Sequence, residues 1–164
     1  MPPADDELES APELVTVRML GLPVQLHLRS REHSEELQRE FALIGEQVRR
    51  AGSGAVPPRL LEVMGHLRGK YSAVGEAQEA ALEAAVAAGQ DRIDLEFTVP
   101  AQAGQGAAML GAILAEADRY CSEGRHLLTL ATPPDLLEYR HWYIGQFVDQ
   151  TASRPARAWT GPLD

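Results

Sequence analysis

The sequence has 164 residues, of which 45% are hydrophobic and 24% are charged, and its formal net charge is −9. This length suits a single domain with a substantial hydrophobic core. The acidic balance argues against a nucleic-acid-binding protein, because neutralising phosphates needs clustered lysine and arginine. We therefore expect partners that are neutral or basic, and no nucleic acid.

The compartment is predicted from what the sequence lacks. Cys121 is the only cysteine, which excludes a disulfide framework. No apolar run approaches the roughly 20 residues of a membrane helix, and the acidic start lacks the features of a signal peptide. We expect a cytoplasmic protein with no membrane partner. Residues 1–13 are predicted to be a disordered acidic tail, because they contain one leucine among prolines and acidic residues.

The next segment is predicted to form two strands, each with one apolar and one polar face. Their apolar members are Val15, Val17 and Met19 in the first strand, and Val24, Leu26 and Leu28 in the second. The intervening Gly21-Leu22-Pro23 fits either a tight turn or a bulge in one long strand. Ser30 is then the expected N-cap of a helix over about 31–50, which carries an apolar stripe of Leu37, Phe41, Ile44 and Val48.

The middle of the chain is predicted to add two further helices after a Gly- and Pro-rich break at 51–58. The first lies between Leu60 and Tyr71, and the second is an alanine-rich helix over about 75–88. The clearest strand follows at 92–99, where apolar and polar residues alternate until Pro100.

The last third is predicted to run helix, strand, helix. A helix over about 101–122 places Leu110, Ile113, Leu114, Ala117 and Cys121 on one face. A short apolar strand at 126–130 leads to a closing helix at 133–151, with Thr132 as its N-cap and Pro133 at its first position. The closing helix is the most aromatic helix of the chain. Beyond it, 152–164 is predicted to be an irregular C-terminal tail from which only Trp159 docks.

Strands in which apolar and polar residues alternate indicate a sheet with one covered face and one polar face. We therefore predict an α/β (α+β) fold in which 14–151 form a single domain. Its architecture is a two-layer sandwich, with a mixed sheet of about four strands and helices mainly on one face. The polar face of that sheet would present Thr16, Arg18, Gln25, His27, Arg29, Asp94, Glu96 and Thr98.

Catalytic and cofactor motifs are excluded one by one. The chain has no asparagine, no G-x-x-x-x-G-K-[ST] loop and no G-x-S-x-G nucleophile elbow. Its five histidines form no pair with metal-ligand spacing, so we predict neither a metal site nor a cofactor. Gly104-Gln105-Gly106 lacks the third spaced glycine of a dinucleotide site and is interpreted as small residues that allow close helix–sheet packing. Cys121 is expected to be an inert core residue.

The candidate binding or interface residues lie on the closing helix and on the polar sheet face. They are Tyr139, Arg140, His141, Trp142, Tyr143, His27 and Arg29. Arg140 and His141 fit two interpretations: the wet side of the helix, or, for Arg140 together with His27 or Arg29, an anion site at a sheet edge. Trp142 lies about 100° from Tyr143 around the helix, off the core stripe. It is therefore either an interface anchor or part of a second packing surface.

Three segments resemble an uncharacterised family of actinobacterial proteins: LGLPVQLHLRSREHSEELQREFALI, LEVMGHLRGKY and LLTLATPPDLLEYRHWYIGQFVDQ. The resemblance covers about Leu14 to Trp159 and rests on spaced apolar and aromatic positions. Members of that family tend to be encoded beside sigma-factor partner-switching regulators: anti-sigma ATPases, STAS-domain antagonists and PP2C-type phosphatases. The resemblance implies an accessory or sensory role in such signalling and transfers no site residue.

The function expected from these observations is a non-enzymatic regulatory or protein-interaction module in bacterial signalling. Its partner would be another protein or a second copy of the same chain. The alternative is a small-ligand-binding domain or an enzyme that uses the polar sheet face or a pocket near Tyr139 and Arg140.

Overall fold

A computed structural model describes residues 12–51, 58, 75–123 and 131–163, and these form an α+β arrangement in which helix predominates. The elements in chain order are β1 (Leu14–Pro23), α1 (Val24–Ala51), α2 (Glu76–Ala87), β2 (Arg92–Pro100), α3 (Ala103–Glu123) and α4 (Pro134–Thr151). Among the helices described, none is both long enough and apolar enough to cross a membrane.

Several predictions from the sequence fall outside the described residues. They are most of the acidic tail at 1–13, the helix between Leu60 and Tyr71, and the strand at 126–130. The other predicted helices match α2, α3 and α4 to within about two residues at each end. After α4 the chain has no regular helix or strand up to the last described residue.

The sheet of the described residues consists of β1 and β2, which pair antiparallel with Val17 opposite Phe97 and Arg18 opposite Glu96. The register shifts between Met19 and Leu22, so Gly21-Leu22-Pro23 belongs to an irregular strand end and not to a turn between two strands. Gly21 has φ 64°, a conformation that glycine adopts without a steric penalty. The predicted sheet of about four strands is not seen in this part of the chain.

The predicted strand that begins at Val24 is wrong, because α1 begins at that residue. Its alternating apolar residues are all covered, but by two different neighbours of one helix. Val24 and Leu28 pack towards α2, whereas Leu26 packs towards α4. A helix that packs between two neighbouring elements can bury every second residue, and this is the spacing expected of a strand. Ser30 consequently lies inside α1 and does not cap it.

The main core lies between the sheet and α4. Val17, Met19, Leu95 and Phe97 point from the strands towards Tyr143 and Phe147 of the helix. The ring centroid of Phe97 lies 6.4 Å from that of Tyr143 and 5.5 Å from that of Phe147. Each strand therefore has one buried face, as the alternation predicted, and among the described residues the aromatic face of α4 covers it.

A second core joins the later part of α1 to α3. Three members of the predicted stripe, Leu37, Phe41 and Ile44, contact Ile113, Ala117 and Cys121. Cys121 is buried there as predicted. Burial raises the pKa of its thiol to about 11, with a smaller contribution from Asp118, so the unreactive protonated form prevails at neutral pH.

Close packing between α3 and α4 depends on Gly104. A Cβ atom at this position would overlap the hydroxyl oxygen of Thr151 and would lie 3.3 Å from the carbonyl oxygen of Phe147. The Gly104-Gln105-Gly106 segment therefore serves close packing, as predicted, although the partner is a helix and not the sheet.

Gly104→Ala is expected to lower the free energy of unfolding by about 1–3 kcal/mol, because it overpacks the contact with Thr151. Gly111→Ala on the same helix is the matched control. Its Cβ would meet only the Ile144 side chain at 3.6 Å, and alanine favours a helix by up to about 1 kcal/mol. Urea denaturation of both variants measures the difference. Equal destabilisation by the two substitutions would contradict this packing.

Candidate functional site

The most extensive polar and aromatic arrangement in the described residues joins α4 to the chain that follows it. Residues 154–162, here called the strap, run back along α4 in the opposite direction. The main-chain N–H of Arg157 donates to Gln146 Oε1 at 2.9 Å, and the indole Nε1 of Trp142 donates to the Arg157 carbonyl at 2.9 Å. Further along, the N–H of Trp159 donates to the Leu20 carbonyl of β1 at 3.0 Å. The strap is thus bound largely through its main chain.

Trp159 fills an aromatic cavity and anchors the strap. Its ring is buried against Leu26 and Leu136. Its centroid lies 5.9 Å from that of Tyr139 and 5.5 Å from that of Trp142, both in edge-to-face geometry. Such pairs add about 0.5–1.5 kcal/mol each beyond the area that they bury. The indole N–H is satisfied by the Pro162 carbonyl at 2.7 Å.

The surface that receives the strap, here called the strap groove, is built by β1, the start of α1, one face of α4 and Arg92 of β2, which donates to the Trp159 carbonyl at 3.0 Å. Its contacting residues are Leu20, Leu26, Arg92, Leu136, Tyr139, Trp142, Gln146 and Asp149. Asp149 provides the charged end of the groove: it binds Arg154 at 2.7 Å and Arg157 at 2.6 Å. Both arginines are largely exposed, so these pairs orient the strap more than they stabilise it.

A histidine–tyrosine pair lies beneath Trp159. The Nδ1 atom of His27 is 2.6 Å from Tyr139 Oη, and the two residues are only 6% and 2% exposed. Burial, reinforced by Arg31 and partly opposed by Glu79, lowers the pKa of His27 to about 4. Burial also raises the pKa of Tyr139 well above its ordinary value. Both groups are therefore neutral at pH 7, and the pair acts as a buried hydrogen bond.

Arg140 belongs to a separate polar cluster on another side of α4. Its guanidinium binds Asp118 of α3, and the two side chains are 12% and 15% exposed. The Thr132 hydroxyl donates to the same carboxylate and lies 2.9 Å from His33 Nε2. The prediction that Arg140 lies on the wet side of the helix is wrong, because α3 covers that side. Thr132 is also not the N-cap, since Pro133 occupies that position and the hydroxyl is engaged with Asp118.

The predicted site residues therefore divide into separate groups. His27, Tyr139, Trp142 and Tyr143 come together, with ring centroids 5.8–6.0 Å apart in the adjacent pairs. Arg29 lies elsewhere and pairs with Asp135 at 2.7 Å, while His141 is exposed to solvent. The predicted anion site of Arg140 with His27 or Arg29 is not formed. His27, Gln25 and Arg29 lie on α1, so they do not extend the polar sheet face.

Gln150 is a structural residue that the sequence did not single out. Its side-chain amide accepts from the main-chain N–H of Arg18 at 2.9 Å and donates to the Arg18 carbonyl at 2.8 Å. It therefore occupies the outer edge of β1 in the way that a neighbouring strand would. A glutamine at the end of a helix is ordinarily interpreted as a solvated residue, so no signal in the sequence indicated this contact.

No group of three or more His, Cys, Asp or Glu side chains in the described part of the chain could hold a metal ion. A wide-mouthed surface depression of about 460 Å³ lies between α2 and β2, lined by Ala81, Gln90, Arg92, Ile93 and Asp94. Arg92 connects this depression to the strap, because its guanidinium also donates to the Trp159 carbonyl.

The buried neutral state of His27 predicts a pH dependence of stability. Its folded pKa of about 4 lies below its unfolded value of 6.5, so the unfolded state binds more protons between these limits. The His27 contribution is fully present above pH 6.5 and is lost as the pH falls towards 4, with a slope approaching about 1.4 kcal/mol per pH unit. Denaturation of wild type and His27→Asn across this range isolates the contribution. Identical slopes would refute the assignment.

Arg140 and Arg154 provide a matched test of burial. Arg140→Gln leaves the Asp118 carboxylate without its cation and is expected to cost about 1–3 kcal/mol. Arg154→Gln removes an ion pair whose arginine is 65% exposed and should change stability by less than about 0.5 kcal/mol. Thermal and chemical denaturation give both values. If Arg154→Gln is as costly as Arg140→Gln, the placement of Arg140 is wrong.

The chain was compared with protein-family models, curated proteins and solved structures, and none of them matches it. The resemblance to the actinobacterial family found in the sequence therefore stays a hypothesis. The function has to be argued from the contacts within this chain.

Proposed function

We propose that this domain is a non-catalytic protein-interaction module that acts through the strap groove. The observation that carries the proposal is the way the groove holds its own C-terminal segment. It combines main-chain hydrogen bonds with one deep aromatic cavity, and these are the two ingredients with which peptide-binding domains recognise extended segments. Together with the resemblance described above, this favours an accessory role in sigma-factor partner switching.

The chemistry of the polar side chains supports binding in preference to catalysis. A general base works best with a pKa near the operating pH and within hydrogen-bond reach of its substrate. His27 has a pKa of about 4, is buried, and has its Nδ1 atom engaged with Tyr139 Oη, so it satisfies neither condition. Arg140, the other strong candidate, is neutralised by Asp118.

A small-ligand-binding or enzymatic role is the alternative, and no contact favours it specifically. The space beside Tyr139 is filled by Trp159. The polar sheet face presents Arg18 and Glu96, which pair with each other at 2.9 Å and are well exposed. A buried, converging set of polar groups, as expected of a ligand site, does not arise from these residues.

The groove can be tested with a synthetic peptide of residues 154–163, RPARAWTGPL, and full-length protein carrying Trp159→Ala. The variant keeps the groove but loses the anchor of its own strap, so the peptide should bind in trans. A peptide with alanine in place of the tryptophan is the matched control and should bind at least about tenfold more weakly. Wild-type protein should also bind the peptide more weakly, because its own strap competes. Calorimetry measures all three affinities.

Equal binding of the two peptides, or no binding by a variant that remains folded, would refute the groove as an interaction site. The signalling role needs a separate assay of wild type against the anti-sigma ATPases, STAS antagonists and PP2C-type phosphatases of its own organism. Binding to none of these would remove the accessory role. A thermal-shift screen against nucleotides and metabolites addresses the alternative, since a ligand at one hundred times its Kd adds about 2.7 kcal/mol.

A further inference from the structure

Resting on the proposed function, we propose that the strap groove receives the strap of a second copy of this chain. Two chains would exchange straps reciprocally and form a domain-swapped dimer. Every contact that the strap makes within one chain would be made again between chains, because the groove and the strap are unchanged.

The strap is a separable ligand of the domain. Its anchors are the Trp159 ring, the main-chain groups of Arg157 and Trp159, and the two arginines on Asp149. It is joined to α4 only by the short turn that follows Thr151. Moving the strap to another copy therefore requires a change in this turn alone and leaves the sheet and helices as they are.

The turn itself carries conformational strain. Ser153 has φ 61° and is the only non-glycine residue with a positive φ in the part of the chain that the structure describes. A side chain disfavours this conformation, and short strained hinge loops promote domain swapping. Pro155 restricts Arg154 to an extended backbone, which suits an opened hinge. Opening would release the strain at Ser153 in both chains of a dimer.

The charges favour capture of a strap supplied by another molecule. The strap contains Arg154 and Arg157 and no acidic residue, whereas the whole chain has a net charge of −9. Asp149 binds both arginines at the open end of the groove. A second copy would present the same two arginines to the same carboxylate, so the local charge complementarity at this end of the groove is kept between chains.

Competition within one chain sets the concentration at which dimers form. A short connection gives the strap an effective concentration of the order of millimolar at its own groove. Exchange must overcome this advantage, and the strain at Ser153 is what lowers the required concentration. Ser153→Gly removes that strain without touching the groove or the strap, since glycine adopts a positive φ freely.

The test is sedimentation of the full chain by analytical ultracentrifugation, at protein concentrations from about ten micromolar to about one millimolar. Wild type is expected to show a concentration-dependent dimer. Ser153→Gly should raise the dimer dissociation constant about tenfold, while keeping the monomer folded. Trp159→Ala should abolish the dimer because it removes the anchor. Circular dichroism checks the fold of each variant.

A mixing experiment identifies the exchanged element even if single variants lose stability. Trp159→Ala has a defective strap and an intact groove, and Trp142→Ala has a defective groove and an intact strap. Neither should form a homodimer alone. Their mixture should form a heterodimer, visible by native mass spectrometry, because the intact strap can occupy the intact groove.

Three results would overturn the exchange. They are a wild type that is monomeric at every concentration after prolonged incubation, a dimer unchanged by both Ser153→Gly and Trp159→Ala, and a mixture without heterodimer. Binding of the RPARAWTGPL peptide without any dimer would assign the groove to a segment of another protein. That outcome would reject the exchange and leave the proposed interaction module standing.

Discussion

In the described part of the chain β1 and β2 form a two-stranded antiparallel sheet, which is marginal in water by itself, so it depends on the aromatic face of α4 that covers it. Tyr143 and Phe147 supply the covering rings. The same helix closes the outer edge of β1 through Gln150 and holds the strap through Trp142. One helix therefore organises the sheet, the start of α1 and the C-terminal segment, and a defect in its packing should affect all three.

Four buried or largely buried polar side chains join elements of the fold. His27 and Tyr139 link α1 to α4, and both are held neutral by burial. Asp118 and Arg140 link α3 to α4 as a largely buried ion pair. Each of these groups has a partner within the chain, as buried polar groups require. The strap groove is consequently an aromatic cavity with the Leu20 carbonyl and Gln146 Oε1 as acceptors and the Asp149 carboxylate at its end.

The spacing of apolar residues in the sequence correctly predicted those elements that are buried on one side only. β2 alternates cleanly, and α3 carries one apolar stripe, so their periods were unambiguous. The start of α1 was predicted wrongly as a strand because Val24 and Leu26 are buried by different neighbours. Buried residues then occur at every second position of a helix. Arg140 was placed wrongly for a related reason. Helical spacing shows on which side of α4 the residue lies, but it does not show that α3 covers that side. The docking of Trp159 was predictable from composition alone, since a lone tryptophan in a polar tail rarely stays exposed, whereas its binding along α4 needed the tertiary structure.

The proposed function requires the strap to be bound in its groove, and amide hydrogen exchange followed by NMR measures this binding directly. The main-chain N–H of Trp159 donates to the Leu20 carbonyl, and the indole N–H of Trp142 donates to the Arg157 carbonyl. Both are predicted to exchange together, well below the rate of an unstructured chain, because they are released by the same opening. Exchange of the Trp159 amide at the unstructured rate, with α4 still protected, would contradict the bound strap and the function argued from it.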